Sequence, residues 1–136
     1  MVHYQNFDEL TLVNDAIEAG GMAWWLMEYP SGAVFFHPNK VKMLGYNDKK
    51  DVEKFVHYTS FMDLVHPDDY EKAMNAMRDH LSGKADSYRT SYRIKGKNGK
   101  YRQFLDRGKI VVRNKQGEVT IAGVVMDISD PDFLPK

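Results

Sequence analysis

The side chains that could do chemistry in this sequence are histidines, carboxylates and tyrosines, because the chain contains no cysteine. Thiol catalysis and thiolate metal sites are therefore excluded. The remaining candidates for a metal-binding set lack the spacing of a metal site, and they are His37, His57, His66 and Asp68. The sequence also lacks a Gly-rich phosphate loop, a Gly-x-Ser-x-Gly elbow and a His-Glu-x-x-His helix. It therefore predicts no catalytic residue and no metal ligand.

The overall composition is that of one globular domain. The chain has 136 residues, of which 43% are hydrophobic, and its 19 basic residues balance 19 acidic ones. A formal net charge of zero gives no electrostatic attraction to nucleic acid or to an anionic membrane. No apolar run approaches the roughly 20 residues that a membrane-spanning helix needs. We therefore expect no nucleic-acid partner and no direct membrane insertion, and the absence of cysteine suits a cytoplasmic location.

The first part of the chain predicts helices around one hairpin. A helix is predicted before the glycine pair at 20–21. Two aromatic-rich segments, MAWWLMEY and AVFFH, flank the turn PSG and are predicted to form two paired strands. Short helical segments follow, and then a long helix begins at Pro67. Asp68 and Asp69 suit the positive end of that helix.

The second part of the chain predicts a meander of three strands. The segment SYRTSYRIK, residues 87–95, alternates strictly between two faces, which indicates a strand with two different environments. The turns GKNG (96–99) and NKQG (114–117) contain residues that tolerate positive φ, as tight hairpins require. Five antiparallel strands with helices over one face form an α+β sandwich.

Four motifs in this order resemble the PAS domain family, the cytosolic sensory modules of bacterial signalling proteins. They are MLGY (43–46), LVHPDDY (64–70), YRIKGKNGKYRQFLDRGKIV (92–111) and GVVMDIS (123–129). The resemblance implies a PAS fold: a five-stranded antiparallel sheet, helices inserted between strands 2 and 3, and an N-terminal flanking helix. It divides the chain into that helix (1–20), a sensory domain (21–129) and the start of a linker to an output domain or tail (130–136).

The resemblance also implies which side chains face a ligand pocket. These positions are mostly apolar or aromatic, and they are Trp25, Met27, Met43, Leu44, Met62, Leu64, Thr90, Tyr92, Ile94, Phe104, Asp106, Ile121 and Val125. The alternative is a filled core without a cavity, since close packing is the default for apolar side chains. Asp106 stands out because a buried carboxylate needs a partner. We expect that partner to be Arg89, Arg93 or Arg107.

The cofactors of the family can be considered one at a time. Its flavin photosensors and its small photoactive relatives both use a cysteine on the chromophore, so both chemistries are excluded here. A non-covalent flavin could lie against Trp24 and Trp25, although such a pair is more often part of a core. Haem could bind through His80, although a histidine near a helix end is more often solvated. No cofactor is therefore predicted.

The resemblance implies a sensor without catalysis of its own. It would bind a small, mostly apolar or aromatic molecule, or relay a partner's state. Its output would be a histidine kinase or diguanylate cyclase domain, in the same chain or in trans, and we expect that this output domain was cut away. Two alternatives stay open: a ligand-free dimerisation or scaffolding module, and a small cone-shaped isomerase that uses Asp106 and Tyr92. The isomerase would need two groups with opposed pKa shifts.

The flanking helix is predicted to form a homodimer interface. Leu10, Val13 and Ile17 are apolar residues that spread over a wide arc of this helix. One part of the arc can cover the outer face of the sheet, and the remainder then needs a partner. The resemblance implies the same arrangement, because these domains commonly pair through this helix.

Asp127, at the end of the last strand, is interpreted as a signal relay. In relatives of this shape the tripeptide Asp-Ile-Ser joins the sheet to the helix that drives the output domain. We expect Asp127 to pair with Arg107, and the alternative is a cap that only ends the strand. An exposed ion pair contributes roughly 0 to 1 kcal/mol, but a relay requires a contact with two states rather than a strong one.

Overall fold

Strict alternation in the segment 88–95 produces the edge strand of a five-stranded antiparallel sheet. A computed structural model of the protein describes residues 8–129. The elements in chain order are α1 (Glu9–Ala19), β1 (Met22–Tyr29), β2 (Val34–Phe36), α2 (Asn39–Lys42), α3 (Lys49–Val52), α4 (Tyr58–Met62), α5 (Pro67–Leu81), β3 (Tyr88–Lys95), β4 (Tyr101–Arg113) and β5 (Val119–Asp127). The predicted α+β fold, with helices between strands 2 and 3, is confirmed.

The last strand lies in the middle of the sheet. The strand order is β2-β1-β5-β4-β3, so β5 bonds to β1 on one side and to β4 on the other. Trp25 in β1 is opposite Gly123 in β5, and Phe104 in β4 is opposite Asp127 in β5. Strand β5 is thereby held between strands whose residues are far from it in sequence.

The helices α2 to α5 cover one face of this sheet. Helix α2 packs against β1 and α5 against β3, and a bridge joins Val65 to Ile94. The largest fully buried side chains are Phe104, Ile94, Ile121, Val41 and Val125. The alternate positions that the sequence analysis turned inward therefore do form the core.

Helix α5 begins as the sequence predicts. Pro67 occupies its first turn, where the missing N–H leaves no bond unmade, and Asp68 and Asp69 lie at the positive end of the helix dipole. The His66 side chain accepts a hydrogen bond from the Asp68 backbone N–H at 3.0 Å. The start of the helix thus has its exposed amide groups partly satisfied.

The segment 1–20, predicted as the flanking helix, contains α1 within its described residues. Helix α1 runs over Glu9–Ala19, with the Asp8 side chain as its N-cap and Gly20 as its C-cap. Residues 1–7 and the predicted linker 130–136 lie outside the described residues. Between residues 8 and 129, the structure has no helix with the length and apolar character needed to span a membrane.

Candidate ligand cavity

A cavity of about 330 Å³ lies between the inner face of the sheet and the helices. Its wall is mainly apolar and aromatic, formed by Trp25, Met27, Tyr29, Val34, Tyr58, Phe61, Met62, Ala73, Met74, Met77, Leu81, Tyr88 and Tyr92. Three charged side chains complete it, from Lys40 in α2, Arg78 in α5 and Asp106 in β4. A mainly apolar wall with a few convergent polar groups is typical of small-molecule sites.

The sequence-predicted pocket residues divide into two groups. Trp25, Met27, Met62, Tyr92 and Asp106 line the cavity. The others do not, and they are Met43, Leu44, Leu64, Thr90, Ile94, Phe104, Ile121 and Val125. Most of this second group is buried in the core. The cavity is thus smaller than the predicted pocket, and it lies between the inner face of the sheet, α2, α4 and α5.

Asp106 is buried, with 4% of its surface exposed, and it has neutral partners. Trp25 Nε1 donates a hydrogen bond to Oδ1 at 2.7 Å, and the Tyr92 hydroxyl donates one to Oδ2 at 2.8 Å. The expected arginine partner is wrong: among the described residues Asp106 forms no ion pair with Arg89, Arg93 or Arg107, and Arg93 pairs instead with Asp69 of α5. Burial raises the pKa of Asp106, and the charge of Lys40 opposes that rise.

Two glycines make room for the Trp25 ring. Gly108 and Gly123 are paired across β4 and β5. A Cβ on Gly123 would lie 2.4 Å from Trp25 Cζ2, and a Cβ on Gly108 would lie 2.8 Å from Trp25 Cη2. The indole therefore lies flat over both glycines, which brings its N–H to Asp106. These two positions fix the polar end of the cavity.

Lys40 is a charged residue of the cavity wall that was not predicted from the sequence. Only 7% of its surface is exposed, and Nζ lies 3.9 Å from the ring centroid of Phe61 and 5.5 Å from that of Trp25. Burial lowers the pKa of Lys40 to about 8, and the charge of Asp106 opposes that shift. The sequence carries no signal for it, because α2 is a single turn and the burial of Lys40 depends on how that turn packs against the sheet.

Tyr92 and Asp106 do not form an independent acid and base pair. They are hydrogen-bonded to each other, and the pKa of each is raised by burial. The isomerase alternative needs pKa shifts in opposite directions for the two groups, with both groups facing a substrate. The geometry gives no support to that alternative.

The cofactor candidates do not converge on the cavity. Trp24 donates a hydrogen bond to Asn14 of α1 at 2.8 Å, whereas Trp25 faces the cavity, so the pair forms no common flavin platform. His80 is buried rather than solvated, and both of its ring nitrogens bond to backbone atoms of Ala85 and Ile110. No haem ligand is thus free on that side chain. Among the described residues no cluster of His, Asp or Glu could hold a metal ion.

Asp127 pairs with Arg102 and not with the predicted Arg107. Oδ2 of Asp127 accepts hydrogen bonds from Arg102 Nη2 at 2.7 Å and from Nε at 2.9 Å. Oδ1 accepts one from the Ser129 backbone N–H at 2.9 Å. The register explains the correction, since Asp127 is opposite Phe104 and shares a face with even-numbered residues of β4. Arg107 lies on the opposite face.

The predicted interface residues of α1 are accessible. Leu10 and Val13 are 70% and 53% exposed, and Ile17 is partly buried. Helix α1 contacts β1, with Asn14 bonded to Trp24 on the outer face of the sheet. The helix therefore covers part of the outer face and leaves an apolar edge open.

The comparisons with known proteins agree with this architecture. A family model described as the PAS fold matches residues 33–125. A sensory box histidine kinase/response regulator from Burkholderia thailandensis E264 is 25% identical, with 92% of this chain and 88% of that chain covered and a TM-score of 0.70. The N-terminal domain of a diguanylate cyclase with PAS/PAC sensor from Marinobacter aquaeolei is 22% identical, with coverage of 79% and 95% and a TM-score of 0.67.

A PAS domain from Colwellia psychrerythraea is 15% identical, with coverage of 90% and 98% and a TM-score of 0.65. No curated protein matches the sequence. The family match covers more than half of the chain, and the strand order and inserted helices agree with it. The chain belongs to the PAS fold family.

Proposed function

We propose that this domain is a sensor that holds a small, mostly apolar molecule in the cavity beneath α5 and passes its occupancy to an output domain. The observation that carries the proposal is the cavity of about 330 Å³, with an apolar wall and a polar end at Asp106 and Lys40. Pockets of this size and composition bury most of a small ligand. Polyanions are disfavoured, because the wall is mainly apolar and contains the buried carboxylate of Asp106.

The proposed output is a histidine kinase or diguanylate cyclase domain in the same chain or in trans. The support is the likeness to domains named as parts of such proteins, together with the fold. The proposed location is the cytoplasm, where a cysteine-free sensor would meet metabolites.

The test is binding before and after the cavity is filled. Mass spectrometry of protein purified from cells should detect a retained small molecule, and a metabolite screen by thermal shift should find apolar stabilisers. Met77→Trp should abolish both signals by filling the cavity, while Met77→Leu, as the matched control, should keep them. A screen in which only phosphates or citrate-like acids stabilise the protein would overturn the proposed ligand class.

A ligand-free dimerisation module is the second candidate. It is favoured by the open apolar edge of α1, where Leu10 is 70% exposed. The two candidate functions predict different effects of filling the cavity. In a scaffold Met77→Trp should leave the output unchanged, and in a sensor it should alter the output.

A further inference from the structure

The Lys40 ammonium has hydrogens to donate and no protein oxygen to receive them. Within residues 8–129, Lys40 makes no side-chain hydrogen bond or ion pair at contact distance. Its Nζ faces the rings of Phe61 and Trp25 and keeps some accessible surface. The side chain is more than nine-tenths buried, and it lines the cavity together with those two rings. Ring faces satisfy the charge in part but accept no strong hydrogen bond. An acceptor is therefore missing from the protein at this point.

The charge of Lys40 is nevertheless balanced. Asp106 lies on the same cavity and interacts electrostatically with Lys40, but the two are too far apart for a direct ion pair. The oxygens of Asp106 are already held by Trp25 and Tyr92. Arg78, the other cation of the wall, is 56% exposed and already bonded to Asn75 and Glu71. The buried end of the cavity thus offers the unused donors of Lys40 beside the opposite charge of Asp106.

We propose that Lys40 selects an uncharged ligand with one carbonyl oxygen on an apolar body, such as a ketone or an ester. This inference rests on the proposed sensing function and names its ligand class. A carbonyl oxygen only accepts hydrogen bonds, so the ammonium alone satisfies it. A carboxylate would place a second negative charge in the cavity beside Asp106, which is unfavourable in a low-dielectric environment. A hydrocarbon would leave the ammonium without an acceptor.

The wall of the cavity suits the apolar body of such a molecule. Met62, Met74 and Met77 contribute flexible thioether side chains, and Leu81 and Tyr88 add apolar surface. Methionine adapts its shape to different ligands more readily than branched residues do. Selection among ligands therefore depends on the one hydrogen bond to Lys40, while the apolar part of the ligand only has to fit the cavity.

The experiment is an NMR titration of the full chain at pH 7 with acetophenone, ethylbenzene and benzoate. The three probes share a benzene ring and differ in the group that reaches Lys40: a carbonyl, a methylene or a carboxylate. The Trp25 indole N–H, bonded to Asp106 at 2.7 Å, reports occupancy of the cavity. We expect acetophenone to bind about tenfold more tightly than either other probe, as for a hydrogen bond to a charged donor.

The role of Lys40 is tested with a charge-balanced variant. Lys40→Met alone leaves Asp106 buried without its counter-charge and can unfold the protein. The double variant Lys40→Met/Asp106→Asn removes both charges together. In it, acetophenone and ethylbenzene should bind with equal affinity, while ethylbenzene itself should bind as tightly as in the wild type or more so.

Each result has a defined meaning. Equal binding of the probes to the wild type, or a preference for ethylbenzene or benzoate, overturns the selection by Lys40 and leaves an apolar-ligand sensor in place. A preference for acetophenone that persists in the double variant also overturns it. If none of the probes shifts the cavity resonances at its solubility limit, both this inference and the proposed ligand class are overturned.

Discussion

Asp106 and Lys40 carry opposite charges in one cavity, but they differ in their hydrogen-bond partners. Asp106 accepts hydrogen bonds from Trp25 and Tyr92, so its position is fixed by the sheet. Among the described residues, the Lys40 ammonium contacts the ring faces of Phe61 and Trp25 and forms no hydrogen bond. A carboxylate with two partners is a rigid part of the wall, whereas an ammonium without an acceptor is free to meet a ligand. The polar end of the cavity therefore has one structural and one adaptable member.

The fixed position of Asp106 depends on a missing side chain at Gly123. In Gly123→Ala, the new methyl group would lie 2.2 Å from the Arg107 carbonyl oxygen and 2.4 Å from the Trp25 ring. Relief requires the indole or the backbone to move, and overpacking of this kind costs about 1 to 3 kcal/mol. We expect urea unfolding to show that loss and the near-ultraviolet circular dichroism of tryptophan to change.

Gly20→Ala is the matched control for this substitution. Gly20 has an ordinary negative φ at the end of α1, and a Cβ there would meet mainly the flexible end of Met22 at 3.0 Å. Its stability should equal that of the wild type or exceed it slightly. Equal stability of Gly123→Ala and Gly20→Ala would show that the glycine pair does not position Trp25.

At the scale of elements, one carboxylate joins the long helix to the edge strand. Asp69 in α5 accepts hydrogen bonds from Arg93 Nε at 2.9 Å, from Nη2 at 3.0 Å and from the Arg93 backbone N–H at 2.8 Å. These bonds hold the pKa of Asp69 well below its ordinary value. Since α5 forms one wall of the cavity, this joint sets the distance between that wall and the sheet.

The lowered pKa of Asp69 predicts a pH dependence with a defined sign. The unfolded chain takes up a proton near the ordinary value of 3.8 and the folded chain only at lower pH. The stabilisation is therefore complete above about pH 5 and decreases as the pH falls through 3.8 and below. Asp69→Asn should lower Tm by several degrees at pH 7, and this loss should become progressively smaller as the pH is lowered from 5 through 3. Asp68→Asn, an exposed neighbour, should show no such difference, and parallel curves for the two variants would contradict the prediction.

The end of β5 is the second joint between elements. Asp127 binds both Arg102 of β4 and the backbone of Ser129, which begins the exit from the sheet. We propose that this contact couples the sheet to the segment that follows. In a fusion to a diguanylate cyclase domain, Asp127→Ala should keep the fold and ligand affinity while uncoupling cyclase activity from the ligand. Folding should survive because Arg102, which loses its carboxylate partner in this variant, is 41% exposed and can be hydrated instead.

Two variants, Arg102→Gln and Arg107→Gln, test whether Asp127 couples the sheet to the output domain or only ends the strand. The first removes the observed partner of Asp127 and should also uncouple the fusion. The second changes the partner predicted from sequence, which lies on the other face, and should leave coupling intact. A fusion that still switches with Arg102→Gln would limit Asp127 to ending the strand.

The elements differ in how far the sequence predicts them. The strands were predictable because alternation assigns a face to each residue, and Tyr92, Phe104 and Ile121 are buried as expected. Asp127 shares its face with the even-numbered residues of β4, so the same alternation would have excluded the odd-numbered Arg107 as its partner. The short helices were less predictable, because one turn such as Asn39–Lys42 has too few residues for an apolar stripe. Burial of Lys40 depends on how that turn packs against the sheet, which is tertiary information.

The sheet has a covered inner face and a partly covered outer face. The inner face packs against four helices and contains the cavity. On the outer face, Leu105, Val124 and Met126 are only partly buried, and α1 contacts β1 at one side. A change in the cavity can therefore reach the outer face through a single layer of strands. An interface on that face would make the signal available to a second protomer.

The last prediction is a homodimer through α1. Leu10 and Val13 are three residues apart and exposed on one stripe of the helix, and α1 has no fully buried side chain within its described length. A helix with so little buried surface gains stability mainly by burying that stripe against a second copy.

Light scattering should give twice the chain mass of 15.7 kDa for the wild type. Leu10→Glu/Val13→Glu should give the monomer mass with an unchanged thermal profile of the core, because neither side chain is part of it. Val111→Glu/Val112→Glu makes the same change at two exposed positions of β4 and should remain dimeric. A charged α1 that still dimerises would move the interface elsewhere, most directly to the sheet's outer face.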